Sequence, residues 1–362
     1  MFITNKKELE NFYAEKRLWQ GIPGLEITDN GRMFACFYSG GKTEQLGNYC
    51  LLIKSDDNAK TWTEPIAVVY VGETSRAYDP CLWIDPQKRL WLFYSVAPIQ
   101  KTYAVICEEP DAETLVWGDP FEVGEEVMMN KPTVLSSGEW LFPIAVWGLG
   151  VQHILKKLDE RDKDRMAFCY SSWDNGKTIE KIGGVDVPNK SFDEHMFLEL
   201  KDGRVAVYVR TKYGIAVSHS SDKGRTWSEP KNTGLFGPDS RFFIRRLQSG
   251  NVLLVNHVIS EPEYMEEEKK EKTRKNLTAY LSTDDGETWQ GGLLLDERLN
   301  VSYPDGVQTK DGYIHIIYDR EREKAREILY TKFTEADVLA KAYVDKTSVQ
   351  KHLISKLYTQ RD

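Results

Sequence analysis

The sequence predicts an all-β fold, a six-bladed β-propeller forming a single domain over residues 1–362, with short helices at the N- and C-terminal ends. Two observations predict it. A strand–turn–strand pattern recurs six times, and an S-x-D-x-G-x-T turn, with Ala59 in place of Gly in one copy, recurs four times in phase with it. Both are clearest in residues 193–227, DEHMFLELKDGRVAVYVRTKYGIAVSHSSDKGRTW. The apolar runs MFLEL and VAVYVR flank Lys201-Asp202-Gly203, where Gly supplies the positive φ of a tight hairpin turn. A third run, Gly214 to Ser218, leads into the turn ending Thr226-Trp227. There Ser and Asp oxygens can bond nearby backbone N–H groups, and the indole can plug the space below.

Taken in order, residues 5–18 read as a helix, with Asn5 as N-cap and Leu9, Phe12, Tyr13 and Leu18 as an apolar stripe. The period then switches to two. The paired inner strands fall at 21–40, 79–96, 130–147, 193–210, 239–258 and 302–321. Five of these hairpins turn at a glycine (31, 138, 203, 250 and 312), and the second turns at Pro86-Gln87-Lys88. The repeat length, about 50 residues or a little more, suits four-stranded blades. Further Asp turns run from Ser55 to Trp62, Ser172 to Thr178 and Ser282 to Trp289, each after the third strand of its blade; the second blade keeps only a trace ending at Trp117. Blades this shallow cannot bury their faces alone, and closing the ring removes their exposed edges. Residues 261–275 form a charge run within the fifth blade, and 334–358 read as a capped C-terminal helix.

Composition limits the function. Acidic residues outnumber basic ones, 56 to 48, for a formal charge of −8, which argues against nucleic acid or an anionic membrane as partner. Five cysteines at 36, 50, 81, 107 and 169 are odd in number and lack close pairs, so buried reduced thiols are expected rather than disulfides or a metal site. The start, MFITNKKELE, lacks the apolar core of a signal peptide, and no run of about 18 apolar residues follows; a cytoplasmic protein is expected. There is no Walker loop, no dinucleotide fingerprint and no G-x-S-x-G elbow, and no cofactor is expected.

Six meanders, four Asp-box turns and the Ile22-Pro23 pair opening the first blade resemble the sialidase (neuraminidase) superfamily over almost the whole chain. In that family the Asp boxes lie on the outer rim and mark the fold, while the inner strand starts converge on the active site. The resemblance implies a tyrosine nucleophile, for a physical reason. The anomeric carbon of a sialic acid bears a carboxylate that would repel an anionic nucleophile, whereas a neutral phenol relieved of its proton by a Glu avoids the repulsion. Val301-Ser302-Tyr303-Pro304-Asp305 is similar to the nucleophile segment, and Asp193-Glu194-His195 to the segment bearing the base. Arg210 and Arg274 match two of the family's carboxylate-binding arginines.

The chain also departs from the family. Gly21 stands where the first arginine of a three-arginine clamp would precede Ile-Pro, and the loop after the first hairpin offers Glu44 in place of the acid/base Asp. Asp79, opening the second blade, is the competing acid. Lys131, Arg76 and Arg241, at other blade starts, are candidate replacement cations, and His195 and Asp305 complete the expected pocket wall. No second His stands at metal-ligand spacing from His195. The resemblance therefore implies an exo-glycosidase acting on a terminal sialic acid or related acidic sugar in an oligosaccharide or glycoside. A glycosidase for another terminal sugar and a non-catalytic sugar-binding propeller remain the alternatives.

Overall fold

A computed structural model describes residues 1–147, 165–257 and 274–358. These residues form six antiparallel sheets, five of four strands and one, the first blade, of five. The innermost strands are Trp19–Ile27, Arg76–Ile84, Thr133–Val134, Lys190–Glu199, Phe243–Arg246 and Val301–Gln308. Each turns into its neighbour through the same tight bend. Gly31, Gly138, Gly203, Gly250 and Gly312 all sit at φ between 85° and 88°, and Lys88 takes the corresponding place in the second blade at φ 68°. A Cβ at any of the five glycines would meet nothing within 4 Å, so backbone conformation and not crowding selects glycine there.

The inner two strands of a blade are packed on both faces. Trp19–Ile27 and Met33–Gly40 are buried at every position, because neighbouring blades cover both sides of the sheet. The core therefore lies in the seams between blades. One seam joins Trp83, Trp91 and Phe93 of the second blade to Trp140 and Phe142 of the third, with Trp83 and Trp140 edge to face at 4.8 Å. Another joins Leu25, Phe37 and Leu51 of the first blade to Ile317, Ile328 and Tyr330 of the sixth. All five cysteines are free and buried in these seams and strands.

The ring closes without a strand shared between its ends. Phe2–Ile3 adds to the outer edge of the first blade, and Val349–Lys356 completes the sixth. Closure is made by side chains: the Ile22 N–H donates to Asp319 Oδ2 at 2.8 Å, and Gln20 Nε2 donates to the Arg326 carbonyl at 2.7 Å.

Both terminal helices are shorter than the sequence suggests. The first covers only Lys6–Leu9, with Asn5 Oδ1 accepting from the Lys7 and Glu8 N–H groups, and two 3₁₀ turns follow. Tyr13 is extended and breaks the helix, and Phe12 packs edge to face on Tyr49 at 4.7 Å. The second helix is Glu335–Ala340, capped by Thr334 and Asp337 and ended by Lys341 in the left-handed conformation. The remainder of 334–358 contains the strand Val349–Lys356, because the sixth blade needs a fourth strand to cover Leu329 and Tyr330. The charge run at 261–275 lies almost wholly outside the described residues.

The four Asp turns share one hydrogen-bond pattern. In the fourth-blade copy Ser220 Oγ donates to Asp222 Oδ1 at 2.7 Å and accepts from the Gly224 N–H at 2.7 Å, while Asp222 accepts from the Thr226 N–H and hydroxyl at 2.8 and 2.7 Å. Asp57, Asp174 and Asp284 each accept from the corresponding threonine in the same way. The Trp227 ring stacks on Phe197 at 5.7 Å. All four turns follow third strands.

Candidate active site

Four inner strands carry a bulge near their start, where the ladder slips: between Gly21 and Gly24, Tyr78 and Cys81, Asp193 and Met196, and Ser302 and Asp305. Each bulge holds a non-glycine residue in the left-handed region: Ile22 (φ 57°), Asp79 (49°), Glu194 (43°) and Tyr303 (55°). Such backbone costs about 1–3 kcal/mol per residue and re-aims the side chain out of the pleat. Three of the four bulges thus present a titratable residue.

Tyr303 and Glu194 meet. The Tyr303 hydroxyl donates to Glu194 Oε1 at 2.8 Å, and Arg210 Nη1 donates to both, at 2.6 Å to the carboxylate and 3.0 Å to the phenol oxygen. All three are buried. Burial first, and the Glu194 charge second, push the Tyr303 phenol well above its ordinary range, against the opposing pull of Arg210, Arg322 and Arg274. The phenol is therefore neutral and already bonded to the group that could take its proton. Arg210 is held in turn by Asp239, its Nε at 2.7 Å from Oδ1, and by the face of Phe192.

Two further guanidiniums flank the Tyr303 ring. Arg274 lies 5.8 Å from its centroid and donates from Nη2 to the Asp239 carbonyl, and Arg322 lies over the ring at 4.2 Å. Both border an open cleft of about 630 Å³, together with Glu44, Ser302, Trp19 and Asn300. Glu44 stands between Arg322 (Nη1 at 3.3 Å) and Arg76 (Nη1 at 3.7 Å). Asp79 is buried beside them. Burial and the neighbouring Glu44 raise its carboxyl to about 8, despite Arg76.

The other candidates lie elsewhere. The Lys131 ammonium contacts the Leu25 and Leu82 carbonyls (both 2.7 Å), Glu26 Oε1 (2.8 Å) and Asp305 Oδ2 (3.2 Å). Its donors are spent on four protein oxygens, so it ties blades together, where the sequence had placed it in the substrate pocket. Asp305 belongs to the same tie, accepting also from the Leu25 N–H and from Arg241 Nη2. Arg241 Nε donates to Asn130 Oδ1 at 2.7 Å, which makes it an internal strut as well. His195 has Nε2 at 2.8 Å from the Phe168 carbonyl and is pushed by burial to about 4, so it is a neutral inter-blade bond and not a pocket wall. No cluster of His, Cys, Asp and Glu suited to a metal occurs among the described residues.

The residue that sequence reasoning missed is Arg322. It lies one position beyond the sixth inner hairpin, among the charged residues Arg320, Glu321 and Glu323. The signal available was Gly21 itself, because an absent side chain leaves room for another.

The family model for the BNR repeat-like domain matches residues 31–316. The chain belongs to this family. Among solved structures similar to this BNR repeat-like protein is one of unknown function from Dyadobacter fermentans, 19% identical with a TM-score of 0.64, over 86% of this chain and 93% of that one. A leech intramolecular trans-sialidase complexed with 2,7-anhydro-Neu5Ac is 14% identical with a TM-score of 0.66, over 91% and 70%. The α-L-arabinanase of Penicillium chrysogenum complexed with arabinobiose is 14% identical with a TM-score of 0.57, over 88% and 94%. At these identities the likeness is one of fold, a propeller shared with glycoside hydrolases. Among curated proteins, no sequence matches this member of the family.

Proposed function

We propose that the chain is a retaining exo-glycosidase that hydrolyses a terminal sialic acid or a related acidic sugar, with Tyr303 as nucleophile. The observation that supports this most is the buried hydrogen bond from Tyr303 to Glu194, with Arg210 bridging both residues. Tyr303 attacks the anomeric carbon while its proton passes to Glu194, and Glu44 protonates the departing glycosidic oxygen. Water then cleaves the tyrosyl–sugar bond, giving its proton to Glu44, and Glu194 returns a proton to the phenol oxygen. A neutral nucleophile suits a sugar whose anomeric carbon carries a carboxylate, and the arginines around Tyr303 suit that carboxylate. The pocket also needs few negative charges, and Asp79, held neutral below about pH 8, keeps one away.

Hydrolysis of a different terminal sugar is the second reading. Gly21 favours it, because the cation expected before Ile22 is missing, and the likeness to an arabinanase fits it. Turnover of an aryl sialoside beside aryl glycosides of neutral sugars separates the two. Release of only a neutral sugar would reject the first reading. A ligand-induced rise in melting temperature with no turnover of any glycoside would leave a sugar-binding propeller.

A further inference from the structure

We propose that Arg322 is the third cation of the anionic-sugar pocket, seated in the space that Gly21 leaves open. The inference rests on the glycosidase reading above and deepens it. It removes the objection that Gly21 raises against an acidic substrate.

The requirement for glycine at position 21 is one of space. The backbone there lies outside the left-handed region, so any residue could adopt it, yet a Cβ would fall 2.6 Å from Arg322 Cδ and 2.8 Å from its Cγ and Nε. The arginine stem therefore runs through the volume that a side chain at position 21 would fill. The sixth blade delivers a guanidinium to the place from which the first blade would otherwise supply one.

The anchoring of Arg322 supports a placed group and not a wandering surface arginine. Its Nε donates to Asp319 Oδ2 at 2.8 Å. Asp319 is buried, and it accepts at the same oxygen from the Ile22 N–H and at Oδ1 from the Ser302 hydroxyl (2.6 Å). One carboxylate thus fixes the strand after Gly21, the segment before Tyr303 and the arginine together. The far edge of the fork is held only at long range, Nη1 at 3.3 Å from Glu44 and Nη2 at 3.5 Å from Ser302 Oγ, and it borders the cleft. A planar donor pair pinned at Nε and loosely occupied at its outer nitrogens can take a carboxylate in a bidentate manner. Because the Arg322 guanidinium also covers the Tyr303 ring at 4.2 Å, an anion held there would lie beside the nucleophile.

The test uses 2-deoxy-2,3-didehydro-N-acetylneuraminic acid and its methyl ester as probes of the whole protein, with binding read by calorimetry and folding by melting temperature. Arg322→Met should raise the Kd of the acid about 10- to 100-fold, the loss of one charge-assisted contact, and change that of the ester less than about 3-fold. Gly21→Ala keeps every charge but collides with the stem, and should weaken the acid in the same selective way. The swap Gly21→Arg with Arg322→Ala moves the cation back to the first blade and should recover most of the lost affinity. Equal weakening of acid and ester, or no change in either, would overturn the assignment, as would a swap that stays as weak as Arg322→Met. If Arg322→Met does not fold, Gly21→Ala and the swap decide by the same acid-to-ester ratio. Wild-type protein that binds neither probe and cleaves no acidic glycoside sinks the acidic-sugar reading itself, a result distinct from any of these.

Discussion

The Tyr303 hydroxyl and Glu194 Oε1 lie 2.8 Å apart although 109 residues separate them in the chain. Each stands on the bulge of an inner strand, in blades six and four, and each holds a left-handed backbone to reach the other. Tyr303→Phe deletes one oxygen and leaves the ring packing intact. Turnover of an aryl sialoside should fall by about 10²-fold or more with the melting temperature nearly unchanged. Glu194→Gln should fall comparably, since the amide cannot take the phenol proton. Full activity in either folded variant would exclude the tyrosine mechanism.

The acid can be separated from its neighbour by pH. Burial and Glu44 raise the Asp79 carboxyl to about 8, above the ordinary carboxylate value near 4. A raised folded-state value means the native protein holds the proton more tightly than the unfolded chain. That contribution to stability is complete below about pH 4 and is lost as pH rises through about 8. Asp79→Asn mimics the protonated form and should flatten the decline in stability over that window while sparing most turnover. Glu44→Gln should cost about 10²- to 10⁴-fold on a substrate with a poor leaving group and far less on an activated aryl glycoside. The opposite result, with Asp79→Asn inactive and Glu44→Gln active, would assign the proton transfer to Asp79.

The Asp turns should matter for folding and not for chemistry. Bonds from the turn threonines hold Asp57, Asp174 and Asp284 at about 2, and Asp222 reaches about 2 even though slight burial opposes the Thr226 bonds. A depressed carboxylate stabilises the fold above about pH 4, and that support is lost as pH falls toward 2. Acid unfolding should therefore steepen below about pH 4, and Asp222→Asn should shallow it. Trp227→Ala removes the stack on Phe197 and should cost about 1 to 4 kcal/mol in chemical denaturation. Loss of turnover in an equally stable variant of either residue would contradict a purely structural role.

The propeller was legible because its signals repeat: the same hairpin glycine at 31, 138, 203, 250 and 312, and the same Asp turn at four outer positions. The pair Tyr303 and Glu194 was legible because both open inner strands that a closed ring must bring together. Length of helix was not. Residues 349–356 alternate weakly, and only the unfilled edge of the sixth blade makes them a strand. Lys131 and Arg322 exchanged places with expectation for a common reason. A cation's role depends on which oxygens surround it, and for Lys131 those are carbonyls of two other blades, which no local pattern encodes.

Lys131 gives the last prediction. Its ammonium neutralises Glu26 and Asp305 inside the ring, where its side chain is 2% exposed and theirs are 5% and 1%. Burial lifts the Glu26 carboxyl, and Lys131 pulls against that rise. Lys131→Met leaves buried Glu26 facing an apolar stem and Asp305 with Arg241 as its remaining ion-pair partner, and should destabilise the fold by about 3–5 kcal/mol, the usual cost of breaking a buried ion pair from one side. Adding Glu26→Gln removes one stranded charge and should restore part of the loss, since the penalty lies in the uncompensated carboxylate rather than in the missing lysine. A ligand role would give a different signature. Lys131→Met would then keep its denaturation midpoint while the KM for acidic glycosides rose, and Glu26→Gln would rescue nothing.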